Sequence, residues 1–264
     1  MTPVGPLALA AQAYGEGLYQ GIAGKAHTFT IDDRDSYGNP RGQLMKDVIS
    51  DYTKFQGTSE IIEDDGTELW NSLIPVIISY NATTRKYDSV WMPVRSGMYQ
   101  LNVTLLHKDG ARNHIFGSPF LVKTNPGATF ASESIAEGGH GNCLPSTRSP
   151  CPGVYHGMAG QESSFVIRAF DLNRNKRDVG GDEWKVVLST ERSSKYSIGR
   201  IDDLSDGKYI TAVAPIISGP NILHITLNDS PIKGSPFRMD VIHGQAVGTS
   251  SYVVDEANMM RMTA

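Results

Sequence analysis

The sequence lacks an apolar run that approaches the length of a membrane-spanning helix, which needs about 20 residues. It has 24 Lys and Arg residues against 28 acidic ones, and the basic residues form no cluster of the kind that attracts phosphates. We therefore expect neither nucleic acid nor a membrane surface among the partners of this segment. The start, MTPVGPLALAA, also lacks the basic residues and the apolar length of a signal peptide.

Common catalytic signatures are missing as well. The patterns HExxH, GxSxG, GxxxxGK[ST] and GxGxxG do not occur, so nothing in the sequence indicates a zinc protease, an α/β-hydrolase, a P-loop nucleotide-binding protein or a dinucleotide-binding fold. We predict a protein without enzymatic activity and without a cofactor.

What the sequence does contain is an internal repeat. The 264 residues are 39% hydrophobic and 20% charged, and this length is typical of about two domains. GSPF occurs at 117–120 and 234–237, SGMYQLNVTL (96–105) aligns with SGPNILHITL (218–227), and AGKAHTFTIDDRDSYGN (23–39) aligns with AGQESSFVIRAFDLNRN (159–175). The offset between the copies changes along the chain, as it does when copies of one unit differ in loop length.

Short segments of alternating apolar and polar residues predict β-strands in each copy. They are separated by clusters of Gly, Pro, Asp and Asn, and no stretch has apolar residues at helical spacing over three turns. We predict about seven strands per copy and an all-β fold in which each copy is a two-sheet antiparallel sandwich. The predicted strands are HTFTI, YDSVWM, YQLNVTL and FLVK in the first copy, and SFVIRAF, WKVVLS, YSIGRI, YITAVA, NILHITL and FRMDVI in the second.

The order of the shared residues resembles the filamin-type immunoglobulin-like repeat. Both copies have Ala-Gly, Phe-x-Ile, Asp-x-x-x-Asn and Gly-Ser-Pro-Phe, although the second has Pro220-Asn221 where the family usually has Gly-x-Tyr. The resemblance covers nearly the whole chain. It implies two tandem immunoglobulin-like antiparallel β-sandwiches of the filamin type, in which GSPF is a structural turn that leads into the last strand.

We predict three segments on this basis. The first repeat spans 1–124 and contains an insertion near 44–74, and the second spans 125–243 and contains a cysteine loop near 139–153. The tail at 244–264 resembles the opening of the second copy, so we expect it to be the first strand of a further repeat in a longer array. A disordered tail is the alternative interpretation.

Both cysteines, Cys143 and Cys151, lie in the loop HGNCLPSTRSPCPGVYH (140–156). A disulfide between them would stabilise the fold by about 2.5 kcal/mol on the chain-entropy estimate, and such bonds persist in oxidising compartments. Two alternatives stay open. One is a zinc site made by His140, Cys143, Cys151 and His156, and the other is a pair of free thiols.

Three sequons offer candidate N-glycosylation sites at Asn81, Asn102 and Asn228. Asn81 lies at a predicted turn, Asn102 shares a strand face with polar residues, and Asn228 is followed closely by Pro231. Together with the cysteine loop, the sequons favour an extracellular or cell-surface setting. A cytoplasmic, cytoskeletal setting is the alternative.

The resemblance also implies a partner-binding surface. Filamin-type repeats bind extended peptides by strand addition in the groove between their third and fourth strands. A covered groove is the alternative, and the loops that differ between the copies are a second candidate surface. The groove residues predicted for the second repeat are Val186, Val187, Leu188, Tyr196, Ile198 and Ile201.

Two functions fit these expectations. The first is adhesion or recognition at a cell surface by protein–protein contacts, since the resemblance extends to gamete-adhesion proteins of plants and algae. The second is a segment of a cytoplasmic actin-crosslinking, ciliary or other cytoskeletal scaffold. In both, the partners are proteins bound by strand addition or loop contacts, with actin or a surface receptor reached through the full-length protein.

Overall fold

The computed structural model describes residues 8–35, 37–41, 54–64, 73–106, 110–138, 153–190 and 193–245. The chain divides into two compact units, the first made of 1–133 and 169–178 and the second of 134–168 and 179–264. Within the described ranges, no helix has the length and apolar character needed to cross a bilayer. The predicted boundary between the repeats at 124 and 125 stays a prediction.

The first unit is built almost entirely from strands. They pair in the order β1-β3-β6-β5-β4-β7-β9-β2, and β8 adds to β7. Strand β5 pairs with β6 through its C-terminal part and with β4 through its N-terminal part, so it joins the two layers of the sandwich. The strands are β1 Gln12–Tyr14, β2 Gln20–Ile22, β3 His27–Asp32, β4 Lys54–Asp64, β5 Ile74–Asn81, β6 Lys86–Trp91, β7 Gly97–Leu106, β8 Arg112–His114 and β9 Phe120–Asn125.

The core of the first unit is formed by strands whose side chains alternate between buried and partly exposed. In β7, every second side chain from Tyr99 to Leu105 is buried, and the residues between them are partly exposed. This period of two is what a strand requires when one face packs inward. The same core contains Leu18, Phe29, Ile31, Trp91, Ile115, Phe120 and Val122.

An aromatic stack occupies one end of this core. The ring of His27 meets that of Trp91 edge to face at 4.7 Å, and Trp91 meets Tyr99 in the same manner at 5.3 Å. The polar atoms at two of these rings are satisfied by backbone carbonyls, since Trp91 Nε1 donates to Gly17 O at 3.1 Å and Tyr99 Oη donates to Arg95 O at 2.9 Å. Such pairs add about 0.5–1.5 kcal/mol beyond their buried area.

The second unit has two separate sheets. Four strands pair in the order β10-β12-β16-β15 and five in the order β11-β19-β17-β13-β14, with β18 added to β17. Trp184, Val186, Leu223 and Ile225 are among the residues buried between the two sheets. The strands are β10 Ile135–Gly138, β11 His156–Met158, β12 Ser163–Arg168, β13 Trp184–Thr190, β14 Ser193–Ile198, β15 Arg200–Asp203, β16 Lys208–Val213, β17 Gly219–Leu227, β18 Ser230–Pro231 and β19 Phe237–Ile242.

The GSPF motif is the structural turn that the sequence predicts. Gly117 has a φ of 83°, which a residue with a Cβ rarely adopts, and Phe120 begins β9 with its ring buried. The hydroxyl of Ser118 accepts the N–H of Val103 at 2.9 Å, so the turn is tied to β7. The second copy repeats each feature with Gly234, Ser235, Ile225 and Phe237.

The Asp-x-x-x-Asn motif is also a turn. The Oδ1 atom of Asp35 accepts the N–H groups of Tyr37 and Asn39, both at 2.9 Å. In the second copy the Oδ1 atom of Asp171 accepts the corresponding N–H groups two and four residues further on. A carboxylate that closes its own turn in this way accounts for the fixed spacing of the motif.

One strand lies inside the segment predicted as an insertion. Residues 54–64 form β4, which pairs along its whole length with β7. The third strand of the first repeat therefore falls within 44–74, and the extra residues are divided between the segments before and after it. The sequence comparison missed this strand because it counted only the total difference in length between Asn39 and Tyr87.

Candidate functional site

The fourth strand of the second unit passes from one sheet to the other. Its first half, β14, pairs with β13, and its second half, β15, pairs with β16. Gly199 lies at the crossing, where its N–H donates to Val186 O at 2.9 Å. A Cβ on Gly199 would lie 2.8 Å from Cγ1 of Val186, so only glycine fits this close approach without a shift of the neighbouring chain.

The hydrogen bond of Gly199 fixes which backbone groups of β14 point outward. In an antiparallel pair, the residues alternate between those that bond to the partner strand and those that do not. Because Gly199 bonds toward β13, Ser197 does so as well, whereas Tyr196 and Ile198 direct their N–H and C=O groups away from it. Within the described ranges, no strand pairs with this outer side of β14.

The side chains of the same two residues are exposed. Tyr196 is 63% exposed and Ile198 is 69% exposed, and Val187 lies directly opposite Ile198 on the same face. Ile216 is also largely exposed and shares a small pocket with Tyr196. Lys195 is the one charged residue of β14, and β14 has no proline. Its pairing with β13 shifts register once, between Ser189 and Thr190, before Tyr196 and Ile198. Sheet edges that avoid association typically carry several charges, a proline or a bulge that twists the edge away.

The six residues predicted for the groove divide between two environments. Val186 and Leu188 are buried between the sheets, and Ile201 is half-buried opposite Thr211. The other three, Val187, Tyr196 and Ile198, lie on the outer face. Both sides of β13 are paired, one with β17 and the other with β14, so the open edge belongs to β14 and not to β13. The binding role of the six residues stays a prediction.

Strand pairing identifies the equivalent residues of the first unit. Val103 in β7 lies opposite Gly57, and Ile225 in β17 lies opposite Val186. Val103 and Ile225 occupy the same position in the aligned repeats. Gly57 and Val186 are therefore equivalent positions of the third strand.

The same comparison applies to the fourth strand. Ile77 lies opposite Val90, and Arg200 lies opposite Ala212, where Val90 and Ala212 are aligned in the repeats. Counting back by one residue makes Val76 equivalent to Gly199. Counting back by two makes Pro75 equivalent to Ile198, and Pro75 lies opposite Thr58 just as Ile198 lies opposite Val187.

This alignment shows an exchange at the crossing. In the first unit, the third strand has Gly57 and the fourth has Val76, and a Cβ on Gly57 would lie 2.7 Å from the Cβ of Val76. In the second unit, the third strand has Val186 and the fourth has Gly199. Each crossing therefore accommodates one valine and one glycine, in opposite order.

The alignment also shows that the first unit protects its edge. Pro75 has no backbone N–H, and it occupies the position whose N–H would point outward in the second unit. A proline at an edge position prevents a further strand from pairing there. Among the described parts of the chain, the second unit presents an unprotected fourth strand and the first unit does not.

The three sequons lie in different surroundings. Asn81 ends β5, where its Nδ2 donates to Asp88 Oδ2 at 2.7 Å and its Oδ1 accepts the N–H of Thr83 at 3.0 Å. Asn102 is partly buried in the middle of β7. Asn228 has a φ of 48° and, with Asp229, forms the two-residue turn between β17 and β18, which is a role typical of Asn. Glycosylation at these positions stays a prediction.

The candidate zinc and disulfide residues are for the most part not described. His140, Cys143 and Cys151 lie outside the described residues. His156 is exposed at the start of β11, and its carbonyl oxygen accepts the N–H of Gly153 at 3.1 Å. The disulfide, the zinc site and the free thiols therefore stay predictions.

Sequence reasoning missed the two residues that distinguish the edges, Gly199 and Pro75. The glycine inside YSIGRI is a signal for a break in the predicted strand, and it marks the point where the chain changes sheets. The role of Pro75 is recognised only after strand pairing shows that Pro75 is equivalent to Ile198.

Comparison with known proteins agrees with this fold. The family model of the Filamin/ABP280 repeat matches residues 7–121 and 145–238. The chain is similar to the alpha chain of flagellar outer arm dynein of Chlamydomonas reinhardtii, with 34% identity over 86 residues, which are 30% of this chain and 2% of that protein. It is also similar to the E3 ubiquitin-protein ligase TRIM71 of Mus musculus, with 27% identity over 116 residues, or 44% of this chain and 14% of that protein. The chain thus spans a small part of these curated relatives.

Among solved structures, the chain is similar to FdeC, an adhesin of Escherichia coli. The TM-score is 0.53 at 13% sequence identity, and the match covers 93% of this chain and 67% of that one. At this identity the comparison shows a shared fold.

Proposed function

This chain belongs to the filamin repeat family, and from that premise we propose that it is a non-catalytic module that binds an extended segment of a partner protein along β14. Filamin repeats form a family of protein-binding modules of the immunoglobulin-like fold. The site is the outer side of β14, where the backbone groups of Tyr196 and Ile198 are available.

The observation that carries the proposal is the difference between the two fourth strands. Ile198 has an outward N–H and an exposed apolar side chain, whereas the equivalent Pro75 has no N–H at all. Unprotected edges are rare because they invite association. The fourth strand is protected in the first unit and unprotected in the second. We explain this difference by a binding site on the fourth strand of the second unit.

The geometry of β14 predicts the chemistry of the partner. A strand added to β14 would form main-chain hydrogen bonds with Tyr196 and Ile198. These bonds do not depend on the sequence of the partner. Its side chains would alternate between the two faces of the sheet. On the outer face they would meet Tyr196, Ile198 and Val187, so we expect apolar residues at every second position of the partner.

Selection from a library of displayed random peptides tests this proposal. The peptides are selected on the whole chain, and the affinity of the enriched peptides is measured for the unmodified chain and for three variants of it. Ile198→Pro introduces into the second unit the residue that the first unit already has at this position. A proline at Ile77 is not a suitable control, because it would disrupt the pairing of β5 with β6. The matched control therefore uses lysine in both units, as Ile198→Lys and Ile77→Lys. The two isoleucines are nearly equally exposed, at 69% and 67%.

We expect Ile198→Pro and Ile198→Lys to weaken binding at least about a hundredfold, since each removes main-chain bonds or adds a charge at the edge. Ile77→Lys should leave the affinity unchanged. Equal binding by all variants, or selection of peptides without apolar residues at alternate positions, would show that β14 is not the site.

For the cellular setting, we infer a role in adhesion or recognition at a cell surface. The inference is supported by the two cysteines in one loop and by the three sequons. A second candidate is a ciliary or other cytoskeletal scaffold, which is favoured by the 34% identity to the alpha chain of flagellar outer arm dynein over 86 residues.

The mass of the native protein separates these settings. It is measured before and after reduction with alkylation, and before and after treatment with a glycosidase. A bonded Cys143–Cys151 pair with a glycan on Asn81, Asn102 or Asn228 supports the cell-surface role. Two free thiols without a glycan support the scaffold.

A further inference from the structure

A buried histidine lies beneath an edge strand of the first unit. His27 begins β3 with its side chain 3% exposed, and its ring is enclosed by Trp91 on one side and by Gly21 of β2 on the other. A Cβ on Gly21 would overlap the imidazole Nε2 atom. Strand β2 therefore rests directly on the ring, with no side chain between them.

The imidazole has few partners for its two nitrogens. Nε2 lies 3.4 Å from Ile22 O, a carbonyl of β2 itself, and Nδ1 is buried without a hydrogen-bond partner among the described residues. A neutral ring tolerates this arrangement because one nitrogen carries no hydrogen. A protonated ring would carry a second N–H that has no acceptor, together with a charge removed from water.

Strand β2 is held by few contacts. It pairs in parallel with β9 over three residues and is the last strand on its side of the sheet. Two adjoining bonds secure its ends, one from the N–H of Ala23 to Asn125 O and one from the N–H of Lys123 to Tyr19 O, each at 2.9 Å. A short edge strand of this kind opens at a lower free energy than the core of a domain.

Few charged groups face the ring. Glu16, next to β2, and Lys25, in the turn before β3, line the same cleft as His27. On β9 the nearest charged residue is Lys123, which is exposed. Trp91 on β6 and Tyr99 on β7 contribute aromatic rings but no formal charge near neutral pH. Among the described residues that line this cleft, Glu16 is the carboxylate, and because the cleft is open and also lined by Lys25, Glu16 offers little compensation for a buried positive charge.

We propose that His27 is an acid-sensitive latch, whose protonation releases β2 from the edge of β9. In the neutral form, Gly21 packs on the ring and β2 covers β9. In the protonated form, the ring must reach water, and the direct contact with Gly21 means that it does so only when β2 moves away.

The direction of the titration agrees with the geometry. Burial lowers the pKa of His27 below its usual value near 6.5, against the weaker effect of the bond to Ile22 O. The form with β2 released exposes the ring and has the ordinary pKa, so it binds more protons. Acidification through the usual range of histidine therefore favours the released form, and the latch is closed at neutral pH.

The second unit provides a matched control within the same molecule. Its residue at the position of His27 is Ser163, and the residue at the position of Gly21 is Gly157. The contact is preserved, since a Cβ on Gly157 would lie 3.1 Å from Ser163 Oγ. The bonds that hold its edge strand are also preserved, from Ala159 N–H to Ile242 O and from Asp240 N–H to Tyr155 O. The buried imidazole is absent at this position, and the histidine of this edge strand, His156, is exposed.

Amide hydrogen exchange tests the latch. Protection factors, corrected for the intrinsic effect of pH, are measured between about pH 7.5 and about pH 5. The amides of Ala23 and Lys123 should lose protection about tenfold or more, whereas those of Ala159 and Asp240 should not change. In His27→Ser, which places the residue of the second unit in the first, the loss at Ala23 and Lys123 should disappear.

Two further variants keep the outcome unambiguous. Glu16→Gln should retain the pH response, which shows that Glu16 is not its source. Gly21→Ala should release β2 at every pH, and combining it with His27→Ser should restore the protection of Ala23. An equal loss in both units, a loss that persists in His27→Ser, or the absence of a loss in the unmodified chain would each overturn the proposal.

Discussion

The two fourth strands use the same crossing in opposite ways. The first unit places glycine in the third strand and valine in the fourth, at Gly57 and Val76, and the second unit places valine and glycine, at Val186 and Gly199. The space between the sheets at this point holds one valine side chain, and either strand can supply it. The fold therefore constrains the combined volume of the pair and leaves the identity at each position free.

The same region differs a second time, in the protection of its edge. Pro75 closes the outer side of the fourth strand in the first unit, and Ile198 leaves it open in the second. If β14 binds a partner as we propose, the two repeats differ in binding because of a single edge residue. The prediction is then that the valine–glycine pair at the crossing affects stability, whereas the residue at the edge affects binding.

The largest expected effect concerns Trp91, the central ring of the aromatic stack in the first core, where the second core has Val213. Trp91→Ala should destabilise the first unit by about 3–5 kcal/mol, because it leaves a large cavity between His27 and Tyr99. The equivalent change in the second unit, Val213→Ala, should cost about 2 kcal/mol. Urea unfolding with amide exchange resolved by residue measures both. Equal costs would show that the stack does not stabilise the first unit.

The next effect depends on pH and is confined to the first unit. Burial raises the pKa of Asp33 to about 6, against the attraction of Arg41, whose Nη1 lies 3.5 Å from the carboxylate. The folded state then binds more protons than the unfolded state between about pH 4 and about pH 6, so the free energy of unfolding falls as pH rises through this window.

Comparison of the unmodified chain with Asp33→Asn isolates this contribution from that of His27, which has the opposite sign. The difference between the two free energies should change by about 2–3 kcal/mol across the window, with the unmodified chain losing stability relative to the variant as pH rises. Glu162→Gln, at an exposed acid of the second unit, serves as the control. A difference that does not vary with pH would contradict the assignment.

The exchange at the crossing predicts a smaller effect that can be reversed. Gly199→Val places two valines where one fits, and we expect it to cost about 1–3 kcal/mol. Adding Val186→Gly recreates the arrangement of the first unit and should recover most of the loss, which a double-mutant cycle measures. If the two changes are additive, the two positions do not share one space.

Much of the fold follows from the sequence alone. The alternation in SGMYQLNVTL and its counterpart in the second repeat predicts β7 and β17, since Tyr99, Leu101 and Val103 are apolar at every second position. GSPF and Asp-x-x-x-Asn predict turns because Gly, Pro and Asp have strong local preferences. The filamin-type immunoglobulin-like fold and its tandem arrangement are confirmed.

The site itself depends on long-range pairing, which local patterns do not contain. YSIGRI reads as one strand, and only its neighbours show that Gly199 divides it between two sheets. Val186 and Leu188 are apolar like Ile198, but the first two face the core and the third faces solvent. Alternation predicts that neighbouring residues face opposite sides of a sheet and does not predict which edge stays open.

The most direct test of the binding site is amide exchange of β14 with a selected peptide present. In the free chain, the N–H groups of Tyr196 and Ile198 point outward and should exchange rapidly, whereas that of Ser197 is bonded toward β13. We predict that the peptide protects Tyr196 and Ile198 and leaves Ser197 unchanged, because an added strand pairs only with the outward groups. Protection confined to other strands, with Tyr196 and Ile198 still exchanging rapidly in the complex, would contradict the account.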